Sequence, residues 1–373
     1  MAEKYSTSWA DIRSYMDWSL LIFTLILFGF GLVAIYSASA SFARGGAPVS
    51  DFVVKQTLWG AMSALLYVAV LKTDYRNIIK YAWFFFAAII VIFIVLLVIG
   101  HTAKGSQRWF NLGFIRFQPS ELGKVVFALA IAKLCSNLPP NTVRGIGTAL
   151  LMAGSVIGLI MIQPDLGSSL VYAVMLFAVF IAAGAPVKIL LGMVGSLLAL
   201  LPVGWMILKP YQRMRLLVFL DPTVDPQGAG YNVIQSRIAV GSGGIFGKGF
   251  MHGTQGKLHF LPEPHTDFIF SVFSEEFGFV GCSVALILFG LLLWRILSIS
   301  QYTKEMEAKL LCVAIAAWIW FQIVESVAMS MGLAPVTGLP LPLFSYGGSS
   351  LLVISIGLAL VQSVNIVARR ERF

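Results

Sequence analysis

Three stretches carry the residues best suited to chemistry. "FLPEPHTDFIFSVFSEEFG" (260–278) sets Asp267 ahead of an aromatic run and follows it with Glu275 and Glu276. "FQPSELGK" (117–124) places Glu121 and Lys124 three residues apart, and "IQPDLGSS" (162–169) places Asp165 directly after Pro164. An acid at the start of an apolar helix is kept ionised by the positive end of the helix dipole, even where aromatic neighbours exclude water. A carboxylate in that balance is suited to take the proton of a hydroxyl as a general base. The plainer reading is that such an acid only caps backbone donors, and it applies most strongly to Asp165.

The neighbouring residues divide in the same way. Glu275 lies eight residues beyond Asp267, about 80° round an ideal helix, so the two share a broad face. Glu276 points away and reads as a member of a buried polar network. Glu121 and Lys124 are close enough to pair, which either turns Lys124 toward a phosphate or is purely structural. "GSGGIFGKG" (241–249) lacks the spacing and strand–helix setting of a nucleotide loop, yet its amides and Lys248 could cradle a diphosphate. "PLPLFSYGGSS" (340–350), with Ser345 and Tyr346, reads as an extended or re-entrant segment lining a polar cavity. Arg108 stands beside Trp109, an aromatic that could stack on a sugar or simply mark a membrane interface. His101, His252, His259 and His265 match no metal spacing, and Cys135, Cys282 and Cys312 read as packing residues.

The elements that position these residues must cross a membrane. Of 373 residues, 58% are hydrophobic and only 12% charged, and the mean hydropathy is +0.87, against about 45–50% apolar and about 25% charged in soluble domains. Ten apolar stretches are long enough to span: 18–38, 54–71, 78–99, 119–136, 145–162, 166–183, 187–208, 267–294, 310–331 and 344–367. The expectation is an all-α polytopic integral membrane protein of about ten transmembrane helices, with a long extracytoplasmic loop, 209–265, between helices 7 and 8. Residues 1–17 form a cytoplasmic segment with no signal-peptide pattern, 18–368 one membrane domain, and 369–373 a cytoplasmic tail.

Lys72, Arg76, Lys80, Lys188, Arg295, Lys304, Lys309 and the tail "ARRERF" place both termini in the cytoplasm by the positive-inside rule. The outer loops then hold Lys104, Arg108, Arg116, Lys209, Arg213, Arg215, Arg237, Lys248 and Lys257 against Asp221, Asp225 and Glu263. Cations on that face suit an anionic ligand at the outer leaflet, or anionic lipid headgroups. The net charge of +9 has no soluble domain through which to serve nucleic acid. "YNVIQSRIAVG" (231–241) reads as a short interfacial helix with Gln235 and Arg237 on its wetter side.

Five ordered motifs carry a resemblance: "RWFNLGFIRFQPSELGK", "QPDLGSSL", "IQSRIAVGSGGIFGKG", "FLPEPHTDFIFSVFSEEFGFVG" and "GLAPVTGLPLPLFSYGGSS". Over residues 18–368 the chain resembles the SEDS family of shape, elongation, division and sporulation proteins, closer to its elongation branch than to its division branch. The resemblance implies a peptidoglycan glycosyltransferase that polymerises lipid II into glycan strands at the outer leaflet of the bacterial cytoplasmic membrane. It implies as partners a class B penicillin-binding protein, which supplies the transpeptidase, and other membrane proteins of the elongation machinery. The family's essential aspartate falls on Asp267, the acid and base of its "QPSE" helix on Glu121 and Lys124, its "QPDLG" aspartate on Asp165, and its outer-loop tryptophan on Trp109. The chain departs where many members have Asn-Ile-Gly-Met: it has Ser326-Val327-Ala328-Met329, preceded by Glu325.

The implied reaction is an inverting displacement. Asp267 takes the proton of the acceptor N-acetylglucosamine 4-hydroxyl as that oxygen attacks C1 of the donor N-acetylmuramyl unit. Undecaprenyl diphosphate leaves, and its charge calls for cations or a divalent metal, Mg or Mn. Lys124, Arg213, Arg215 and Lys248 are the candidate cations. Arg108, Trp109, Asp165, Glu275, Ser345 and Tyr346 complete the expected substrate contacts. A lipid II flippase, a division-branch polymerase and a non-catalytic scaffold are the competing readings.

Overall fold

A computed structural model describes residues 8–40, 50–99, 101–103, 106–111, 116–256, 260–261 and 263–372. It begins with α1 (Trp9–Tyr15), started by a capping box between Ser8 and Asp11. α2 (Trp18–Ser39), α3 (Asp51–Lys72), the short α4 (Tyr75–Lys80) and α5 (Ala82–Ile99) follow. A small antiparallel sheet comes next, β1 (His101–Ala103), β2 (Ser106–Asn111) and β3 (Arg116–Phe117), with Phe110 opposite Phe117. Then come α6 (Pro119–Asn137), α7 (Val143–Ile162), α8 (Leu166–Ala182) and α9 (Val187–Ile207). The long loop is itself built on α10 (Pro210–Leu220), a 3-10 turn at Pro222–Val224 and α11 (Ala229–Ser242). α12 (Ile269–Tyr302), α13 (Met306–Met331) and α14 (Gly348–Arg370) end the chain.

Each of the ten apolar stretches holds one long helix: α2, α3, α5 to α9, and α12 to α14. Among the described residues seven of them, α2, α3, α7, α9, α12, α13 and α14, are long and apolar enough by themselves to cross a membrane. α5 and α8 are as apolar over shorter lengths, and α6 is 19 residues long but carries Glu121, Lys124 and Lys133. The sheet and the helices of the long loop add to the all-α expectation without changing it.

α6, α8 and α13 form the centre. Tyr172 of α8 is fully buried and donates from its hydroxyl to the Ser120 carbonyl at 2.9 Å. A β-carbon on Gly123 would meet that hydroxyl at 2.4 Å, so glycine lets α6 and α8 touch. α9 stays peripheral, with Leu191, Leu197 and Leu198 exposed, as a lipid-facing helix would be. Asp17 caps α2 through the Leu20 amide and binds Arg295 Nε at 2.7 Å, and Asn365 donates to the Tyr15 carbonyl at 2.8 Å. Both chain ends therefore gather at the Arg295 end of α12, about 25 Å of helix beyond Gly278 at 1.5 Å per residue.

α12 differs from expectation at two places. It starts at Ile269, with Phe268 as its N-cap, because residues 263–268 are turned by Pro264 and by the Thr266 amide bonding the Glu263 carbonyl at 3.2 Å. Asp267 thus stands in the turn before the helix. The helix also breaks at Gly278 (φ 63, ψ −163), where the 241–249 loop inserts. Lys248 and Gly249 donate their amides to the Glu275 and Glu276 carbonyls at 2.9 and 3.0 Å, and Phe279 and Val280 donate to Gly244 and Ile245 at 2.9 and 3.0 Å. A β-carbon on Gly278 would lie 2.3 Å from the Gly247 nitrogen. Gly278→Ala is therefore expected to destabilise the protein by at least about 1–3 kcal/mol, read as a lowered thermal unfolding midpoint in detergent; an unchanged midpoint would contradict the account.

Candidate active site

Asp267 lies on a turn held on three sides. Tyr346 donates its amide to the His265 carbonyl at 2.9 Å, and the Ser345 hydroxyl donates to the Thr266 carbonyl at 2.8 Å. The Ser345 oxygen also accepts the Leu341 amide at 2.9 Å, which folds 341–345 back on itself. Gln56, fully buried in α3, clamps the same segment, giving its side-chain amide to the Ser345 carbonyl at 3.3 Å and accepting the Gly347 amide at 3.2 Å. Phe52, His265 and Tyr346 pack their rings together, with centroids 4.1 Å apart for Phe52–His265 and 5.1 Å for Phe52–Tyr346. The extended segment between α13 and α14 is thus the frame of the Asp267 turn, and Ser345 and Tyr346 serve it chiefly through backbone and hydroxyl contacts to that turn.

Beside the turn a small cleft of about 20 Å³ is lined by Pro164, Tyr211, Gln212, Arg215, Val336 and Thr337 among others. Arg215 donates to the Val336 carbonyl at 2.9 Å, and Tyr211 fixes α10 to the start of α8 through the Pro164 carbonyl at 3.2 Å. Gly338 lies against the catalytic candidate: a β-carbon there would sit 3.6 Å from Asp267 Oδ2. Glu325, 6% exposed, accepts the Thr337 hydroxyl and lies within electrostatic reach of both Asp267 and Arg215. One half-exposed carboxylate, one cleft-lining guanidinium and a buried second acid therefore meet around residues 336–338. Such a site can accept a proton from a hydroxyl and steady an anionic leaving group alongside.

The sequence model of the FtsW/RodA/SpoVE cell cycle proteins matches residues 18–370. The chain belongs to this family. It is 35% identical over 363 residues to peptidoglycan glycosyltransferase MrdB of Escherichia coli (strain K12), covering 96% of this chain and 95% of that one. It is equally 35% identical to stage V sporulation protein E of Bacillus subtilis (strain 168), covering 95% and 98% of the two chains. Among solved structures it is similar to a chain of a peptidoglycan synthase complex that coordinates polymerization and crosslinking, with a TM-score of 0.81, 33% identity, and 96% and 99% coverage. It is also similar to Thermus thermophilus RodA, with a TM-score of 0.72, 30% identity, and 96% and 98% coverage. The chain is accordingly a multi-pass bacterial membrane protein.

Other residues expected in this FtsW/RodA/SpoVE site sit elsewhere or are already engaged. Lys124 is fully buried and Glu121 is 2% exposed; they pair at 2.5 Å, with the ammonium 5.6 Å from the Trp318 ring. Placed so, Lys124 offers no surface to a diphosphate. Asp165 is the N-cap of α8, accepting the Ser168 amide at 3.2 Å and hydroxyl at 2.9 Å and the Gln118 side chain at 3.3 Å. Glu275 does not share an open face with Asp267: it is wholly buried and gathers Lys248 Nζ at 2.6 Å, the Thr254 amide and hydroxyl each at 2.9 Å, and the Gln255 amide at 3.1 Å. The proposed Lys248 cradle is therefore spent on α12, its ammonium and amides alike. Glu276 accepts the Ser37 hydroxyl, the network role expected of it. Arg213 turns to the Met206 carbonyl at 2.7 Å and the Trp205 ring.

Trp109 is half-buried on β2, while Arg108 occupies the same strand with a side chain outside the described residues, as are Lys104, Lys257 and His259. Arg237 of α11 reaches the Gly332 carbonyl at 2.8 Å. Among the described residues no group of three or more His, Cys, Asp or Glu could hold a metal ion. Gln56, Thr337 and Gly338 were not singled out from sequence. A lone Gln inside an apolar run was the available signal for Gln56, because polar groups at membrane depth are seldom idle.

Proposed function

We propose that Asp267 is the general base of glycan polymerisation, acting on the acceptor hydroxyl of lipid II at the outer face of the membrane. The chain is a peptidoglycan glycosyltransferase, as its family and the named activity of its relatives make it. Its elongation-type role agrees with its likeness to MrdB and RodA. The observation that carries the site reading is the Asp267 carboxylate facing Gly338, beside the cleft that Arg215 lines.

In the reaction, Asp267 receives the proton of the N-acetylglucosamine 4-hydroxyl while its oxygen bonds to C1 of the N-acetylmuramyl donor. The C1–oxygen bond to undecaprenyl diphosphate breaks with inversion, and the lipid diphosphate leaves with the electron pair. Arg215 is the cleft-lining cation for that charge; Lys124 and Lys248 act by fixing α6 and α12. The positive-inside rule supports the outer placement: Arg76, Arg295, Arg369 and Arg370 gather with both termini at the end of the bundle away from Asp267. A class B penicillin-binding protein is the partner this reading assigns, on the precedent of the similar synthase complex.

A flippase is the competing reading of a chain with an extended segment between its helices. Proteoliposomes holding the full chain and its partner, given fluorescent lipid II in one leaflet, separate the two. The expected result is glycan strands without movement of lipid II between leaflets. Transfer without strands would overturn the proposal.

A further inference from the structure

Of three consecutive residues two bond a charged group and the third faces one. The Val336 carbonyl accepts Arg215 Nη1 at 2.9 Å. The Thr337 hydroxyl donates to Glu325 Oε1. Gly338, at a φ of +77° open only to glycine without strain, lies against Asp267 Oδ2. Residues 335–340 belong to no helix or strand, so no regular backbone ladder fixes their position. Side-chain anchors must do it, and Glu325 is the one rooted in the core, on the α13 helix. The Thr337 side chain is also wedged at the start of α8, where a β-carbon on Gly167 would lie 3.0 Å from it.

Glu325 is an expensive anchor. It is 6% exposed, and its second oxygen has no hydrogen-bond partner among the described residues. A buried carboxyl with an unmet oxygen opposes stability unless something else retains it. An apolar side chain would fill the site at less cost but could not hold Thr337.

We infer that Glu325 is a positioning residue for the transfer reaction, acting through Thr337 to set the distance between the Asp267 carboxylate and the Arg215 guanidinium. The leaving-group cation hangs on this three-residue strap while the base, held by its own turn, faces it, so a slip of the strap changes the separation of the two across the reacting centre. Substrate affinity, distributed over the rest of the cleft, is affected far less. This inference rests on the reading of Asp267 as the base.

The test uses the full chain with its partner in lipid bilayers and lipid II as substrate, comparing Glu325→Ala, Thr337→Val, Glu325→Gln and Asp267→Asn. Misplacement by about 1 Å lowers rates on the order of 100-fold. Glu325→Ala and Thr337→Val are therefore expected to lower kcat by about 10- to 100-fold, with KM changed less than about threefold. Glu325→Gln retains an oxygen for the Thr337 hydroxyl and is expected to stay within about threefold of wild type. The Glu325→Ala/Thr337→Val double variant is expected to be no slower than the worse single, because both cut one link. Wild-type kcat in Glu325→Ala beside an inactive Asp267→Asn overturns this inference and leaves the base assignment standing. Equal loss in Glu325→Gln and Glu325→Ala, or a loss confined to KM, also overturns it. An active Asp267→Asn instead overturns the base assignment itself, whatever the Glu325 variants do.

Discussion

Asp267→Asn is expected to lower strand formation by about 10²- to 10⁴-fold, the usual worth of a positioned general base, while leaving the fold intact. The amide keeps the shape of the carboxylate, so it still fits beside Gly338 and the turn keeps its bonds to Ser345 and Tyr346. What it loses is the ability to accept a proton. Asp267→Glu restores the acid on a longer stem, which shifts the carboxylate by about one methylene from its place facing Gly338. It is expected to recover part of the rate and to remain about 10- to 100-fold below wild type, since geometry limits proton transfer as strongly as basicity. Initial rates of strand formation, with thermal unfolding measured beside them, check both. A fall in unfolding temperature matching the fall in rate would show that the turn, rather than proton transfer, had failed.

Lys124→Met is expected to destabilise the protein by about 3–5 kcal/mol, the range found when one partner of a buried ion pair is removed. Lys124 has no exposed surface, and its loss strands the Glu121 carboxylate between α6, α8 and α13. Glu121→Gln is expected to cost about the same, by stranding the ammonium. The double variant Glu121→Gln/Lys124→Met removes both charges and is expected to recover most of the stability of wild type. Denaturant or thermal unfolding of the four proteins forms a double-mutant cycle. Additive losses in the double variant would contradict a structural pairing. Because Ser120 and Gly123 of the same helix support Tyr172, strand formation is expected to fall with stability in each single variant.

Much of this architecture was legible in the chain because it is governed by the bilayer. Apolar stretches announce spanning helices whatever their tertiary neighbours, and all ten hold a helix. The acids at helix starts were equally visible: Glu121 lies in the first turn of α6 and Asp165 caps α8. The Asp267 turn was misjudged by two residues, since Pro264 and Glu263 hold the chain in a turn where dipole and capping arguments expected a helix.

What escaped were contacts between distant segments. Spacing placed Lys248 near a phosphate-like loop, but nothing local shows that Glu275, 27 residues later, would claim it. The break at Gly278 that makes this possible depends on a loop docking into a helix. Glu325 was visible only as an odd acid in an apolar helix. Its meaning needed Thr337, twelve residues away across the helix end. Hydrophobic pattern encodes which segments cross the membrane, whereas the partners of buried charges are chosen by tertiary packing.

The most direct test of the base assignment is a single-turnover measurement with excess Asp267→Asn protein, its partner and lipid II, in which binding and transfer are followed separately. The account predicts lipid II bound as tightly as by wild type, with the first glycosidic bond forming at least about 100-fold more slowly. Transfer at the wild-type rate, or a loss of binding that accounts for the whole defect, would contradict it.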